Sequence, residues 1–240
     1  MARIELSDIS FIDQIRRSDV SSIFHTMWTG KECILKVYHA TQPSPADPPN
    51  REIDPFKCES AAFARLCERG LCDQGYVPPF YGFVEQINPV DASPHLKDFL
   101  EGRSRPNAIL LEYIPNLRPI TLSNFSEKRA HKLYQILQAI HRAGIYHGDP
   151  YPRNMMVQED TDRVLWIDFD RAQAFTPESL QRYQVKWLEE EADMMDYFVK
   201  ALTADARDGG IYRTWACYYE GYKPSWEPDD EEYFKKVLEV

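Results

Sequence analysis

The stretch His147-Gly148-Asp149-Pro150-Tyr151-Pro152-Arg153-Asn154, followed by Leu165-Trp166-Ile167-Asp168-Phe169-Asp170, decides how this chain reads. Asp168 comes fourteen residues after Asn154. A carboxylate on a stiff loop accepts or steers the proton of a hydroxyl group, and Asp149 is placed for that. A side-chain amide five residues on, with a second carboxylate at a strand end, offers hard oxygen ligands to Mg²⁺. Pro150 and Pro152 limit the loop's freedom, which suits a preorganised site. Phosphoryl transfer asks for little more than metal ions across the phosphates and an oriented acceptor hydroxyl. An ordinary proline turn between helix and strand would hold Asp149 and Asn154 equally well, so the flanking sequence must weigh in.

Upstream, residues 127–142 place Ala130, Leu133, Leu137 and Ile140 at helical spacing, with Ser126 to cap the start and Gly144 to end it. Downstream, the pattern predicts a strand over Met155–Gln158, a turn at Asp160–Arg163 and a strand over Val164–Phe169. A long helix is expected from about Pro177 to Leu202, capped by Thr176, with a stripe of Leu188, Ala192, Met195, Val199 and Leu202. The tail carries Trp- and Tyr-rich patches and a short acidic helix.

Further out, the first third reads as strands. Val20–Trp28 and Glu32–Tyr38 flank Thr29-Gly30-Lys31, a hairpin signal. Five prolines between 43 and 55 block both helix interior and sheet ladder, so 41–53 is read as a surface insertion. Asp54 and Pro55 fit a helix start, running to about Arg69 and stopped by Gly70, with Phe56, Ala62, Phe63 and Leu66 on its apolar face. Strands follow near Phe80–Gln86 and Ala108–Tyr113, separated by a second polar, proline-containing insertion at 88–106. Ile114-Pro115-Asn116 reads as a connector.

The 240 residues suffice for one large domain or two small packed lobes. A formal net charge of -10 is a poor match for nucleic acid or an anionic membrane surface, and neither is expected as a partner. The opening MARIELSDISF has no basic segment followed by an apolar run, and no run of 18 apolar residues exists, so a cytoplasmic location is expected. The five cysteines are odd in number and irregular in spacing, which reads as reduced thiols. Cys67 and Cys72 lack a second ligand pair with zinc spacing and read as core or surface thiols.

LQAIHRAGIYHGDPYPRN followed by LWIDFD resembles the catalytic and metal-binding loops of the protein-kinase-like superfamily. The resemblance covers roughly residues 18–200. It implies an α+β, two-lobed fold in a single domain over 1–240: a β-rich N-lobe with one helix (1–113), a hinge (114–116), and a reduced, mainly helical C-lobe (117–240). It also implies that Asp149 is the catalytic base, that Asn154 shares the catalytic loop, and that Asn154 and Asp168 ligate Mg²⁺. His147 would be a packing and hydrogen-bonding prop. Lys36, within Cys33-Ile34-Leu35-Lys36-Val37-Tyr38, would contact the α- and β-phosphates of ATP and pair with Glu59. Backbone groups near Glu112 and Ile114 would hold adenine, and Asp193 would buttress the catalytic loop. The implied reactants are ATP and a hydroxyl-bearing acceptor.

Three departures qualify the likeness. No Gly-x-Gly-x-x-Gly is present; Ser18-Asp19-Val20-Ser21-Ser22-Ile23-Phe24 takes its place, with Ser21 and Ser22 small enough to approach phosphate. Gly148 stands where protein kinases usually carry arginine, and Tyr151 where serine/threonine kinases carry lysine. The segment after Asp168 is short. His-Gly-Asp and Ile-Asp-Phe-Asp look more like the aminoglycoside phosphotransferase and choline kinase branches, which points to a small-molecule acceptor. A minimal protein serine/threonine kinase and a pseudokinase serving as a nucleotide-binding or interaction module stay open beside it.

Overall fold

β-branched and aromatic residues in the first forty positions form three antiparallel strands: β1 (Ile9–Arg17), β2 (Ser21–Trp28) and β3 (Lys31–Tyr38). A computed structural model describes residues 3–102, 104–219 and 235–237. β1 lies ahead of the first strand expected from sequence. Two register shifts in its pairing with β2, and the exposed Ile12 and Ile15, hide its alternation.

Next comes α1 (Pro55–Glu68), where the Asp54 side chain accepts from the N–H of Phe56 and Lys57. Gly70, at φ +73°, turns the chain after it. β4 (Phe80–Val84) and β5 (Asn107–Glu112) complete a five-stranded sheet of order β1-β2-β3-β5-β4. This is the β-rich lobe with its one helix.

The second lobe contains β6 (Leu117–Pro119), α2 (Glu127–Arg142), β7 (Ile145–Tyr146), β8 (Met155–Gln158), β9 (Arg163–Trp166) and β10 (Gln173–Ala174). It ends in α3 (Arg182–Asp208) and the short α4 (Trp215–Tyr218). The Ser126 hydroxyl caps α2 as expected. The two-lobed, protein-kinase-like expectation is met. The main core joins the lobes: Phe56, Phe63 and Leu66 of α1 cluster with Leu133, Leu137 and Ile140 of α2 and with Met195, Phe198 and Leu202 of α3. Fully buried Trp166 pins β9 to α2 by donating from Nε1 to the Leu133 carbonyl at 2.9 Å.

Four local expectations are corrected. The long helix does not start at Pro177. Pro177–Ser179 make only a 3-10 turn, Leu180 is extended, and α3 begins at Arg182 with Gln181 and Gln184 capping each other. It runs past Leu202 to Asp208, because buried Asp205 continues its inward face by binding Thr214 and Arg213.

The insertion at 88–106, expected to be polar, carries apolar anchors. Leu96 and Phe99 are buried against Phe24, Val37 and Leu110. Its two ring pairs, His95 on Phe11 and Phe99 on His39, and its ion pair between Asp98 and Arg17 fasten it to the first sheet.

Cys67 and Cys72 are joined as a disulfide with Cα atoms 5.1 Å apart, because Gly70 folds the chain back between them. Cys33, Cys58 and Cys217 are free. Most of the aromatic tail and the acidic helix expected there lie outside the described residues. Among the described residues, no helix is long and apolar enough to cross a membrane.

Candidate active site

A cleft of about 690 Å³ opens between the lobes. Its apolar walls come from Ile23, Ile34, Leu111, Ile114, Met156 and Ile167, and its polar end from Lys36, Glu59, Arg153, Asn154 and Asp168. β3 places Lys36 inside the lobe boundary, where pairing with Ile109 of β5 fixes its register. Lys36 Nζ donates to Glu59 Oε2 at 2.5 Å and also to Asp168 Oδ1. Glu59 is buried on α1 and accepts in addition from the Tyr38 hydroxyl at 2.6 Å and the Phe169 N–H at 3.2 Å. Asp168, at φ +65°, holds a backbone conformation that non-glycine residues rarely adopt.

The 147–154 turn delivers the remaining groups. Asn154 Nδ2 donates to the Asp149 carbonyl at 2.9 Å and to Asp149 Oδ2 at 2.6 Å. With its NH₂ committed, its carbonyl oxygen is the group left to a ligand. Asp149 is 5% exposed, and Arg153 clasps it from Nη2 to Oδ1 at 2.6 Å and from Nε to Oδ2 at 3.1 Å. The Arg153 guanidinium also lies 4.5 Å from the centre of the Tyr151 ring.

A column of rings links this turn to the first lobe. Phe80 stacks on Phe63, Phe63 meets Phe169 edge-on, and Phe169 contacts His147, with centroids 4.6–5.5 Å apart. His147 is fully buried and hydrogen-bonds the Ile167 carbonyl through Nε2 at 3.1 Å.

A family model described as the lipopolysaccharide kinase (Kdo/WaaP) family matches residues 122–200, the stretch holding Asp149, Asn154 and Asp168. This match over part of the chain, together with the fold, supports a protein-kinase-like superfamily. The chain's fold is similar to that of the solved Cydia pomonella granulovirus kinase PK-1, with a TM-score of 0.50 and 14% identity over 83% of this chain and 70% of that one. No curated protein matches the chain in sequence. It is a kinase, a phosphotransferase.

Two expected positions of this kinase change. Ser21 and Ser22 stand inside β2, buried, and do not line the cleft. Ser18 at the preceding turn accepts from the N–H of Val20 and Ser21, so this turn is closed on itself without glycine. Asp193 is exposed and does not support the 147–154 turn. Glu191, two residues earlier on α3, does so: it accepts from His147 N at 3.0 Å, Gly148 N at 2.7 Å and His141 Nε2 at 2.7 Å. The sequence carries a faint signal of this, an acid one turn before Met195 on the inward stripe. Arg153, Tyr38 and Asp170 also escaped the sequence reading, since nothing in their spacing says which way they point.

At the hinge, Glu112 N donates to the Pro79 carbonyl and Tyr113 N to the Glu32 carbonyl. The Ile114 N–H has no acceptor among the described residues.

Electrostatics fix the charge states. Burial opposes the charge on Lys36, but Glu59, Asp168 and Asp170 together outweigh it and raise its pKa. Burial likewise opposes the charge on Asp168, but the Lys36 ammonium holds its carboxyl below the usual range. Asp170, with its carboxylate 3.7 Å from Lys36 Nζ, is pushed up to about 7 by burial, with Asp168 and Glu59 adding to the effect against the pull of Lys36. Burial lowers the His147 pKa despite nearby Glu191 and Asp149, which keeps the ring neutral.

Proposed function

We propose that this kinase moves the γ-phosphoryl group of ATP, as its Mg²⁺ complex, to a hydroxyl of a small molecule. One observation carries the reading. Lys36, Glu59, Asn154 and Asp168, from four separate segments, line one cleft with apolar walls, and Asp149 is bonded directly to Asn154.

The donor set fits magnesium. The Asn154 carbonyl oxygen and the Asp168 carboxylate are hard ligands of the class Mg²⁺ takes. When bound there, the ion would neutralise phosphate charge. Lys36, kept protonated by its acids, is suited to the α- and β-phosphates. The Ile114 N–H is suited to the adenine edge, next to Glu112, whose own N–H is committed to the Pro79 carbonyl. Asp149 would orient and accept the proton of the acceptor hydroxyl once Arg153 turns from it to the transferring phosphoryl group.

The test is nucleotide binding with and without Mg²⁺, followed by a metabolite phosphorylation screen on the same sample. Asp149→Ala is expected to lower turnover roughly 10²–10⁴-fold. Unchanged turnover in that variant would overturn the assignment.

A second reading has two observations in its favour. The Arg153 clasp occupies Asp149, and the β1–β2 turn presents no glycine to phosphate. A nucleotide-binding module would show thermal stabilisation by nucleotide without transfer to any acceptor.

A further inference from the structure

Two arginines, Arg51 and Arg171, lie next to the Asp149 turn. Arg51 leaves the proline-rich insertion and donates from Nη2 to the Arg171 carbonyl at 3.2 Å. Arg171 follows Asp170, and its guanidinium comes to 4.0 Å from Asp149 Oδ1 while staying 64% exposed.

The side-chain amide of Gln173 holds the two segments together. Glu52 N donates to Gln173 Oε1, and Gln173 Nε2 returns a bond to the Glu52 carbonyl, each at 2.9 Å. Arg51 has no carboxylate within 4.0 Å among the described residues, and the 4.0 Å approach to Asp149 is the sole one for Arg171. The Arg51 guanidinium is thus positioned by a main-chain carbonyl rather than a counter-ion, and that of Arg171 stays exposed beside Asp149, on a chain of net charge -10.

Gly148 makes the arrangement possible. It sits at φ +80°, and a Cβ there would stand 2.5 Å from the Arg171 carbonyl oxygen and 3.0 Å from Arg51 Nη2. The Arg51 guanidinium rests 5.8 Å from the centre of the Tyr146 ring, which supports it from below.

We propose that Arg51 and Arg171 form an oxyanion site that receives a phosphate or carboxylate substituent of the acceptor, so that this kinase acts on an anionic hydroxyl compound. The inference rests on the proposed hydroxyl transfer at Asp149. Guanidiniums bind such groups through paired charge-assisted hydrogen bonds, and these two lie within reach of a substituent on a molecule whose hydroxyl meets Asp149. A phosphoryl group carried on the chain itself has the same chemistry, and the test separates it.

Inorganic phosphate is titrated into the full chain in the presence of Mg²⁺ and a non-hydrolysable ATP analogue, for the wild type, R51Q and R51K. Phosphate is expected to bind the wild type, about tenfold more weakly to R51Q, and with intermediate affinity to R51K. Among acceptors, glycerol 3-phosphate should bind and compete with phosphate, whereas glycerol should do neither. Equal phosphate affinity in wild type and R51Q, or none in wild type, would overturn the proposal. So would a phosphoryl group found on the purified chain by mass spectrometry, if phosphate binds only after phosphatase treatment. Absence of stabilisation by the nucleotide analogue would instead count against the kinase mechanism at Asp149, and the phosphate difference between wild type and R51Q is still read without nucleotide.

Discussion

The carboxylate of Glu191 accepts the Gly148 N–H at 2.7 Å and the neighbouring His147 N–H at 3.0 Å, so α3 holds the Asp149 turn by its backbone. Both N–H groups belong to a buried turn that no strand or helix satisfies, and an ionised acceptor binds such donors more strongly than a neutral one. The same carboxylate takes His141 from α2. The position of the turn therefore depends on one side chain from a helix more than forty residues away in sequence.

Glu191→Ala should lower kcat strongly while changing the KM for ATP little, since Lys36 and the hinge are untouched. Loss of the buried acceptor should cost about 1–3 kcal/mol of stability. Asp193→Ala is the matched control and should leave both quantities near wild type. Steady-state kinetics and denaturant unfolding of the two variants measure this; equal behaviour would remove Glu191 from its supporting role.

Lys36→Met should damage folding as well as turnover. Its ammonium is the counter-charge for Glu59, Asp168 and Asp170, and the Lys36 and Glu59 side chains are 6% and 1% exposed. Removing one partner from a buried pair of this kind costs about 3–5 kcal/mol. A melting curve and an ATP turnover assay on the same preparation test both effects, and a melting point equal to wild type would contradict the buried network.

Gly148→Ala should destabilise the turn. The residue sits at φ +80°, and the added Cβ would meet the Arg171 carbonyl oxygen at 2.5 Å. The left-handed backbone alone costs about 1–2 kcal/mol for a residue with a Cβ, and the clash adds to it. Gly209→Ala is the comparison, with the same sign of φ and open space around it, and thermal unfolding should show it to be the milder of the two.

Stability should fall as pH rises through neutrality. The Asp170 carboxyl is raised to about 7 in the folded chain, above its unfolded value, so the folded state holds this proton more tightly. Its contribution is complete below the ordinary carboxylate range and is lost as pH climbs through about 7. Denaturation midpoints at acidic and mildly alkaline pH, measured with chelator present, should show the decline. Asp170→Asn should flatten it, and an unchanged slope in that variant would assign the pH dependence elsewhere.

Leu96→Ala should destabilise by about 2–5 kcal/mol. The side chain is fully buried in the first lobe although it lies in the proline-containing insertion. A loss below 1 kcal/mol in chemical denaturation would mean that the insertion is not part of the core.

Much of the fold could be read from local chemistry. Asp54 and Ser126 cap α1 and α2 where the sequence places caps, and Gly70 and Gly144 take the positive φ that ends a helix. Periodicity located α2 and the strands β2, β3, β5 and β8 closely, because caps, turns and amphipathic faces are decided within a few residues. Asp149, Asn154 and Asp168 stand out in the sequence by their spacing, and Lys36 and Glu59 by the resemblance to the kinase-like strand and helix. Lys36 bonds to both Glu59 and Asp168, and Asn154 to Asp149.

What the sequence by itself determined was therefore the position and caps of α1 and α2 and the course of β2, β3, β5 and β8. The tertiary structure alone decided which side chains meet over distance. It chose Glu191 over Asp193 as the support, laid Arg153 on Asp149, closed Cys67 onto Cys72, buried Ser21 and Ser22 in a strand, and packed Leu96 into a core. The physical reason is that burial and pairing are set by neighbours brought in from elsewhere in the chain. A helix acid reads the same in sequence whether it faces water or two unsatisfied backbone N–H groups.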